Sequence, residues 1–327
     1  GGEMNHVQKA GKIPELEVEE PVLFYHSQSF YSQKVLLVLL EKNVHFLRYE
    51  VNVAAGEQYS PWFLDLNPKG EVPVLKIGSF VVPESAQIIN YVERNFQQEP
   101  HRRLLPRDLA PEQQKKILRL SNLISKLPIG AISMGSFIHV EFSPNPKPPF
   151  IAPVRRALVT SDQVMSEQLK RHAKDTPIYA EVLLRKSAFY AQKRDNICKR
   201  EDYVKLLERL EEILEQVESE LRSQAQQSNS DWWLCSPHFT IADCCLAILL
   251  YRLHALGLED HLWTHGKRFH TERYFARLYN RESFLNAIPS RLSILRTIWN
   301  KTPGNYKLGV GLLSASSVIA ALLAIRK

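Results

Sequence analysis

A chain of 327 residues with 44% apolar and 24% charged side chains is long enough for two domains with real cores. Its composition is too ordinary for a disordered, fibrous or multi-spanning membrane protein. The net charge of +7 is unevenly placed: residues 1–150 balance 16 Lys/Arg against 16 Asp/Glu, whereas residues 261–327 carry 11 against 2. Such a basic block seeks an anionic surface, and the apolar residues beside it favour lipid headgroups over nucleic acid. The four cysteines, Cys198, Cys235, Cys244 and Cys245, are too few for a disulfide framework and suit a reducing compartment.

Residues 1–20 are polar and acidic and predict a flexible N-terminus without a signal peptide or basic presequence. Val22 to His26 predicts a strand, the apolar run Val35 to Leu40 a helix, and Phe46 to Val51 a second strand. A short helix comes next near Trp62, then strands at Val72–Ile77 and Ser79–Val82 around a Gly78 turn, then a helix over Ser85–Asn95. The order βαβαββα within residues 21–99 makes one α/β layer, with helices packed on a mixed sheet. Residues 100–110, rich in Pro and Arg, read as a linker, and residues 111–302 are helical in period.

Within that helical part, Glu201 to Leu221 carries a Leu, Ile and Val face that marks a core-facing bundle helix. Residues 145–200 read as an insertion: PNPKPPF breaks the chain, and the segment from there to Arg200 is basic and only weakly amphipathic. Glu167, Asp175, Glu181 and Asp195 interrupt the basic residues, which predicts a solvated helical excursion and no nucleic-acid arm. Thr240 and Asp243 form a Thr-x-x-Asp capping pair, with Phe239 as the preceding staple, opening an apolar helix through Leu250.

Leu308 to Ile325 is an 18-residue run without charge, flanked by Lys307, Arg326 and Lys327. As a helix it spans roughly 27 Å, enough for one crossing of a bilayer. Residues 303–327 therefore predict a basic flank and a transmembrane tail anchor that leaves the body on the cytosolic side. Its modest hydrophobicity, shortness and basic flanks suit the mitochondrial outer membrane better than the endoplasmic reticulum. Ser316, Ala320 and Ala324 recur every four residues, a small-residue face that could let two spans touch in a homodimer, with chance use of small residues the favoured alternative.

The residues with chemical promise lie in the first domain. In NPKGEVPVL, Asn67 to Leu75, Pro73 cannot donate to a sheet ladder, so it belongs at a strand start or in a cis bond. Either turns the Val72 backbone outward, where an extended peptide ligand could pair with it. Pro83-Glu84-Ser85 opens a helix whose free N–H groups and Ser85 hydroxyl can hold a carboxylate. Plain capping by Ser85 and a first-turn dipole role for Glu84 are the alternatives. Ser29 stands between first strand and first helix, where a hydroxyl can donate to a thiolate and the helix dipole lowers a thiol's pKa. Ser27 and Ser32 are rival hydroxyls, Tyr25 and Tyr31 alternative donors, and His26 reads as a strand-end residue. The absence of cysteine before residue 198 excludes a dithiol mechanism in this domain. His261, His265 and His270 lack zinc-like spacing, so no metal site is expected.

The Ser-bearing turn, NPKGEVPVL, PESAQIINYV and the FTIAD phrase, in that order, resemble the cytosolic glutathione S-transferases over residues 21 to about 127 and 201 to about 286. The insertion, the anchor, SQKV and DWWLC narrow the resemblance to the ganglioside-induced differentiation-associated protein family. The resemblance implies a thioredoxin-like N-terminal domain followed by an all-helical C-terminal domain, with a C-terminal transmembrane helix. It implies glutathione as ligand or substrate, with Ser29 as the catalytic thiolate donor and Val72 and Pro73 at its cysteinyl unit. Glu84 and Ser85 would hold the γ-glutamyl end, and Lys69 and Gln58 would add contacts. It further implies tail anchoring in the mitochondrial outer membrane with peroxisomes as a second site. The partners would be membrane lipid and mitochondrial proteins, and the role fission, network shape and redox balance. Two functions stay open: a ligand-binding adaptor or sensor, and an active transferase that conjugates glutathione to an electrophile. The insertion is a departure, because it separates the helices against which a transferase's apolar co-substrate pocket lies.

Overall fold

The computed structural model describes residues 20–227 and 231–302. The expected flexible N-terminus lies almost wholly outside the described residues, and the anchor at 303–327 with its Ser316, Ala320 and Ala324 face lies entirely outside them. Among the described residues no helix is long and apolar enough to cross a membrane.

The first domain is a four-stranded sheet in the order β2-β1-β3-β4. Strand β1 (Val22–Tyr25) pairs in parallel with β2 (Leu47–Glu50) and antiparallel with β3 (Val74–Ile77), which pairs antiparallel with β4 (Phe80–Pro83). All four residues of β1 are buried because both faces of the sheet are covered, which is why it reads as a continuous apolar run. Leu23 and Tyr25 point into the main core with α1 (Phe30–Glu41) and α3 (Ser85–Asn95). Val22 and Phe24 alternate to the other face, onto Phe63 of α2 (Pro61–Leu66). Strand β3 starts at Val74, two residues later than the apolar pattern predicts, because Pro73 has no N–H to donate to the ladder.

The chain then turns helical with α4 (Pro111–Ser125) and α5 (Ile129–Ile138), followed by the long pair α6 (Ala152–Asp175) and α7 (Ala180–Cys198). After them come α8 (Arg200–Gln226), α9 (Ile241–Leu256), α10 (Glu259–Leu262), α11 (Phe269–Leu278), α12 (Glu282–Ala287) and α13 (Arg291–Lys301). Helix α9 is the spine: every residue except His254 is buried. Its start is fixed by Asp243, whose Oδ2 accepts the Thr240 N–H and hydroxyl, each at 2.8 Å. Its Oδ1 accepts the Leu234 N–H and the Tyr274 hydroxyl, also at 2.8 Å. Burial raises the Asp243 pKa even against these four bonds. Thr240 and Asp243 thus sit in the core of the helical domain, fully buried.

The linker at residues 100–110 is docked. The fully buried Lys42 ammonium, at the end of α1, donates to Glu93 at 2.8 Å and to the Arg102 carbonyl at 2.7 Å. The neighbouring Glu41 carboxylate, also buried, accepts from Arg281 Nη2 at 2.6 Å and Arg102 Nη1 at 3.2 Å, so α1 is clamped between linker and α12.

The 145–200 stretch corrects the sequence expectation. It is helical, since α6 and α7 form an antiparallel hairpin turned at Pro177–Tyr179, but it is no solvated excursion. Leu169, Ala173 and Leu183 are buried against Tyr59 and Leu64 of the first domain, and the Tyr59 ring lies 4.9 Å from that of His172. Each such leucine contributes roughly 1.5–3 kcal/mol of burial. The weak apolar stripe was misleading because its partners lie more than a hundred positions away.

Candidate functional site

Between the first domain and the hairpin lies a cleft of about 610 Å³. Its first-domain wall is made by four segments: β1 to α1 with His26, Ser29 and Tyr31, the turn before α2 with Gln58, the loop before β3 with Val72 and Pro73, and β4 to α3 with Glu84 and Ser85. Five predicted residues, Ser29, Val72, Pro73, Glu84 and Ser85, are thereby brought together, and Gln58 joins them. Lys69 does not line the cleft. Its ammonium is held by the Glu84 carboxylate, which raises the lysine's pKa.

Ser29 is the N-cap of α1, its Oγ accepting the Ser32 N–H at 3.3 Å. The hydroxyl proton stays free to be donated towards the cleft. The rivals fall away by position. Ser27 turns to α13, with Oγ 2.6 Å from Ser293 Oγ, and Ser32 is buried under the turn, accepting the His26 N–H at 3.3 Å. Tyr25 lines a different cavity, beside Arg48, Glu50 and Arg296, and burial pushes its phenol up to about 12. Tyr31 does reach the cleft, 39% exposed, with its pKa raised by burial and by Glu71. It remains a neutral donor beside Ser29. Burial lowers the pKa of His26, which keeps the ring neutral and accepting, through Nδ1, the Gln28 N–H at 3.3 Å.

The loop before β3 owes its shape to Asn67. This buried amide donates to the Glu71 carbonyl at 2.8 Å and accepts the Lys69 N–H at 3.1 Å, closing the NPKG turn. Gly70 has φ +59°, and a Cβ there would lie 2.7 Å from the Tyr59 ring, so both backbone and packing demand glycine. Glu84 itself has φ +72°, an uncommon conformation for a non-glycine residue, and its carbonyl accepts the Ile88 N–H at 3.0 Å to start α3. The N-termini of α1 and α3 both face this wall, which can hold an anion at the first and a carboxylate at the second.

The hairpin wall holds the residues that sequence reasoning missed: Met165, Lys186, Phe189, Tyr190 and Lys193. Lys186 Nζ lies 2.9 Å from Glu71 Oε1, donates to the Lys69 carbonyl at 2.5 Å, and stands 5.7 Å and 5.9 Å from the Tyr59 and Tyr190 ring centres. Burial lowers its pKa, with Glu71 opposing. A signal was present: Leu183, Lys186, Tyr190 and Lys193 keep the three-and-four spacing of one helix face. Arg252 was also missed. It is buried in α9, donates to the Gln28 carbonyl at 2.6 Å, and burial lowers its pKa to about 10, so a cation stands directly behind the Ser29 turn. Among the described residues no group of three or more His, Cys, Asp and Glu side chains could hold a metal ion. The described cysteines are free; only Cys198 is exposed, and burial pushes the Cys235 and Cys244 thiols up.

The arrangement is matched by known proteins. Residues 28–95 fit the family model of the glutathione S-transferase N-terminal domain, and residues 167–276 that of the C-terminal domain. The human ganglioside-induced differentiation-associated protein 1-like 1 is 32% identical over 274 residues, covering 81% of this chain and 73% of that protein. The mouse protein of the same name is likewise 32% identical. Among solved structures, the beta-etherase LigF from Sphingobium sp. strain SYK-6 superposes with a TM-score of 0.61 at 20% identity, over 82% of this chain and 98% of that one. Ure2p in complex with glutathione gives 0.57 at 15% identity, over 84% of this chain and 100% of that one. At such identities the two structures share a fold with this chain.

Proposed function

The chain belongs to the ganglioside-induced differentiation-associated protein family, built on the glutathione S-transferase fold, and from that premise we propose a glutathione-binding adaptor or sensor of the mitochondrial outer membrane. Its role is in mitochondrial fission, network dynamics and redox homeostasis. The body faces the cytosol, the residue 308–325 segment crosses the lipid, peroxisomes are a second site, and the partners are mitochondrial proteins and a second copy of the chain.

One observation carries the choice of adaptor: the cleft keeps Ser29, Val72, Glu84 and Ser85 on one wall, while Lys186 of the hairpin reaches across to Glu71 and the Lys69 carbonyl. On this reading the ligand-facing groups share one wall of the cleft, and the inserted helices form the other. Glutathione bound to Ure2p, on the same fold, supports the ligand class. The second reading, an active transferase, is favoured by Ser29 at the positive end of α1 with Arg252 behind it. There the thiolate would attack an electrophile, forming a carbon–sulfur bond as the leaving group departs or the acceptor takes a proton.

Calorimetry with glutathione and a thiol-conjugation assay on the full chain in detergent micelles separate the two. Millimolar binding without conjugation above the uncatalysed rate is expected. Turnover that disappears in Ser29→Ala would establish the transferase instead, and no binding at all would overturn both. Removing residues 303–327 should leave the protein diffuse in cells; persistent mitochondrial staining would refute the anchor.

A further inference from the structure

On the other side of the turn at residues 26–29 lies a second cavity, of about 340 Å³, which shares no lining residue with the cleft. Strands β1 and β2 give it Tyr25, Arg48 and Glu50, α1 gives Leu36, and the connection from α12 to α13 closes it with Ile288 and Ser290. Its volume lies within the range of small-molecule sites.

Two polar groups in this cavity lack the partners that burial calls for. Tyr25 is only 5% exposed, yet among the described residues its hydroxyl has no hydrogen-bond partner. Arg48, half-buried, has neither an ion pair nor a hydrogen bond among them; its guanidinium rests 5.4 Å from the Phe46 ring centre, and burial lowers its pKa. Arg296 of α13 faces the same space, with a Glu50 carboxylate oxygen 3.8 Å from its Nη1, beyond hydrogen-bond distance. The other Glu50 oxygen accepts the Ser27 N–H at 3.3 Å. Both arginines act electrostatically on the Tyr25 phenol, so the three donors converge. At the rim, Ser290 Oγ accepts the Ser293 N–H at 3.2 Å, which leaves its own proton to donate. Glu50 offsets one of the two positive charges; the other is a partly desolvated cation without a counter-charge, and an anion relieves that cost.

The donor set selects among anions. A carboxylate has two acceptor oxygens and is saturated by one guanidinium fork. A phosphate monoester carries about two negative charges at neutral pH and three acceptor oxygens, enough for two guanidinium groups and a hydroxyl. We propose that this cavity binds a phosphate monoester, its oxygens meeting Arg48, Arg296 and the Tyr25 hydroxyl and its esterified carbon lying on Leu36 and Ile288. Such an ester comes free in solution or as the headgroup of a lipid. Helix α13, which forms one wall, ends at Lys301, just before the basic flank at 303–327. The site stands whether or not the cleft binds glutathione.

The test is calorimetric, on the full chain in non-ionic detergent and phosphate-free buffer, with butyl phosphate and its singly charged isostere butyl sulfate as probes. The phosphate is expected to bind about tenfold more tightly. Arg48→Met should remove that preference and weaken butyl phosphate by about tenfold. Tyr25→Phe keeps the buried ring, and with it the fold, and should weaken butyl phosphate by about threefold. Equal affinity for the two probes, or a butyl phosphate affinity that neither substitution lowers, would overturn the proposal. Dihexanoyl phosphatidic acid, titrated in the same way, separates the sources. An Arg48-dependent gain over butyl phosphate assigns the site to a lipid headgroup, and Arg48-dependent binding without such a gain assigns it to a soluble ester; binding of this lipid and of butyl phosphate that is indifferent to Arg48 defeats both.

Discussion

The first-domain wall of the cleft is held by short-range contacts: Asn67 reaches Lys69 and Glu71, Glu84 opens its own helix, and Ser29 caps α1 through Ser32. The hairpin, though tied within itself by Ser166 and Ser187, is held to the first domain by long-range contacts. Lys186 meets the Lys69 carbonyl 117 residues away, Tyr179 meets Asp65, and Leu169 and Leu183 bury themselves on Tyr59 and Leu64. One wall therefore keeps its shape from its own turns, whereas the other exists only while the hairpin stays docked.

The most forceful way to break that contrast is to remove the docking itself. Leu183→Ala should cost about 2–5 kcal/mol, as for other fully buried leucines. Hydrogen exchange should then rise across α6 and α7 while β1 to β4 keep their protection; uniform loss across both would contradict the contrast. Gly70→Ala attacks the seam from the other side, through the positive φ and the contact with Tyr59. Overpacking there should lower stability by about 1–3 kcal/mol in thermal unfolding. Ser29→Ala touches only the local wall and should cost about 1 kcal/mol, the usual value of an N-cap, with the hairpin's exchange unaltered.

The finest probe is pH. Burial places the Lys186 pKa below its ordinary 10.5. Below the lowered folded value the lysine is charged in both folded and unfolded states, so the desolvation cost is present in full. As pH rises through the lowered folded value, the folded protein alone releases the proton, and stability increases until the unfolded lysine titrates near 10.5. The wild type should gain hairpin protection over this alkaline limb relative to Lys186→Met. An identical pH profile for the two would show that the buried ammonium does not govern docking.

The contrast also explains what could be read from the sequence. The βαβαββα order and the cap at Thr240 and Asp243 were legible because alternation, caps and turn residues are signals between near neighbours, whereas the grouping of Ser29, Val72, Glu84 and Ser85 came from the family resemblance. The docking of the hairpin was not legible. Its apolar stripe is interrupted by Lys186 and Lys193, and the partners that make Lys186 an interior residue, Glu71 and Tyr59, belong to another domain. Arg252 was hidden for the same reason: in α9 it looks like an interruption of a core helix, and only folding brings it to Gln28 across 224 residues.

Three of the bonds that tether the turn at residues 26–29 reach widely separated elements: His26 to Ser32, Gln28 to Arg252, and Ser27 to Ser293. These three anchors come from α1, the α9 spine and the last described helix. The donor hydroxyl at Ser29 is thus aimed by a tripod whose feet stand far apart in the chain. A lesion in α13 can misdirect that hydroxyl without touching the cleft, and would pass for a defect of chemistry when it is one of alignment.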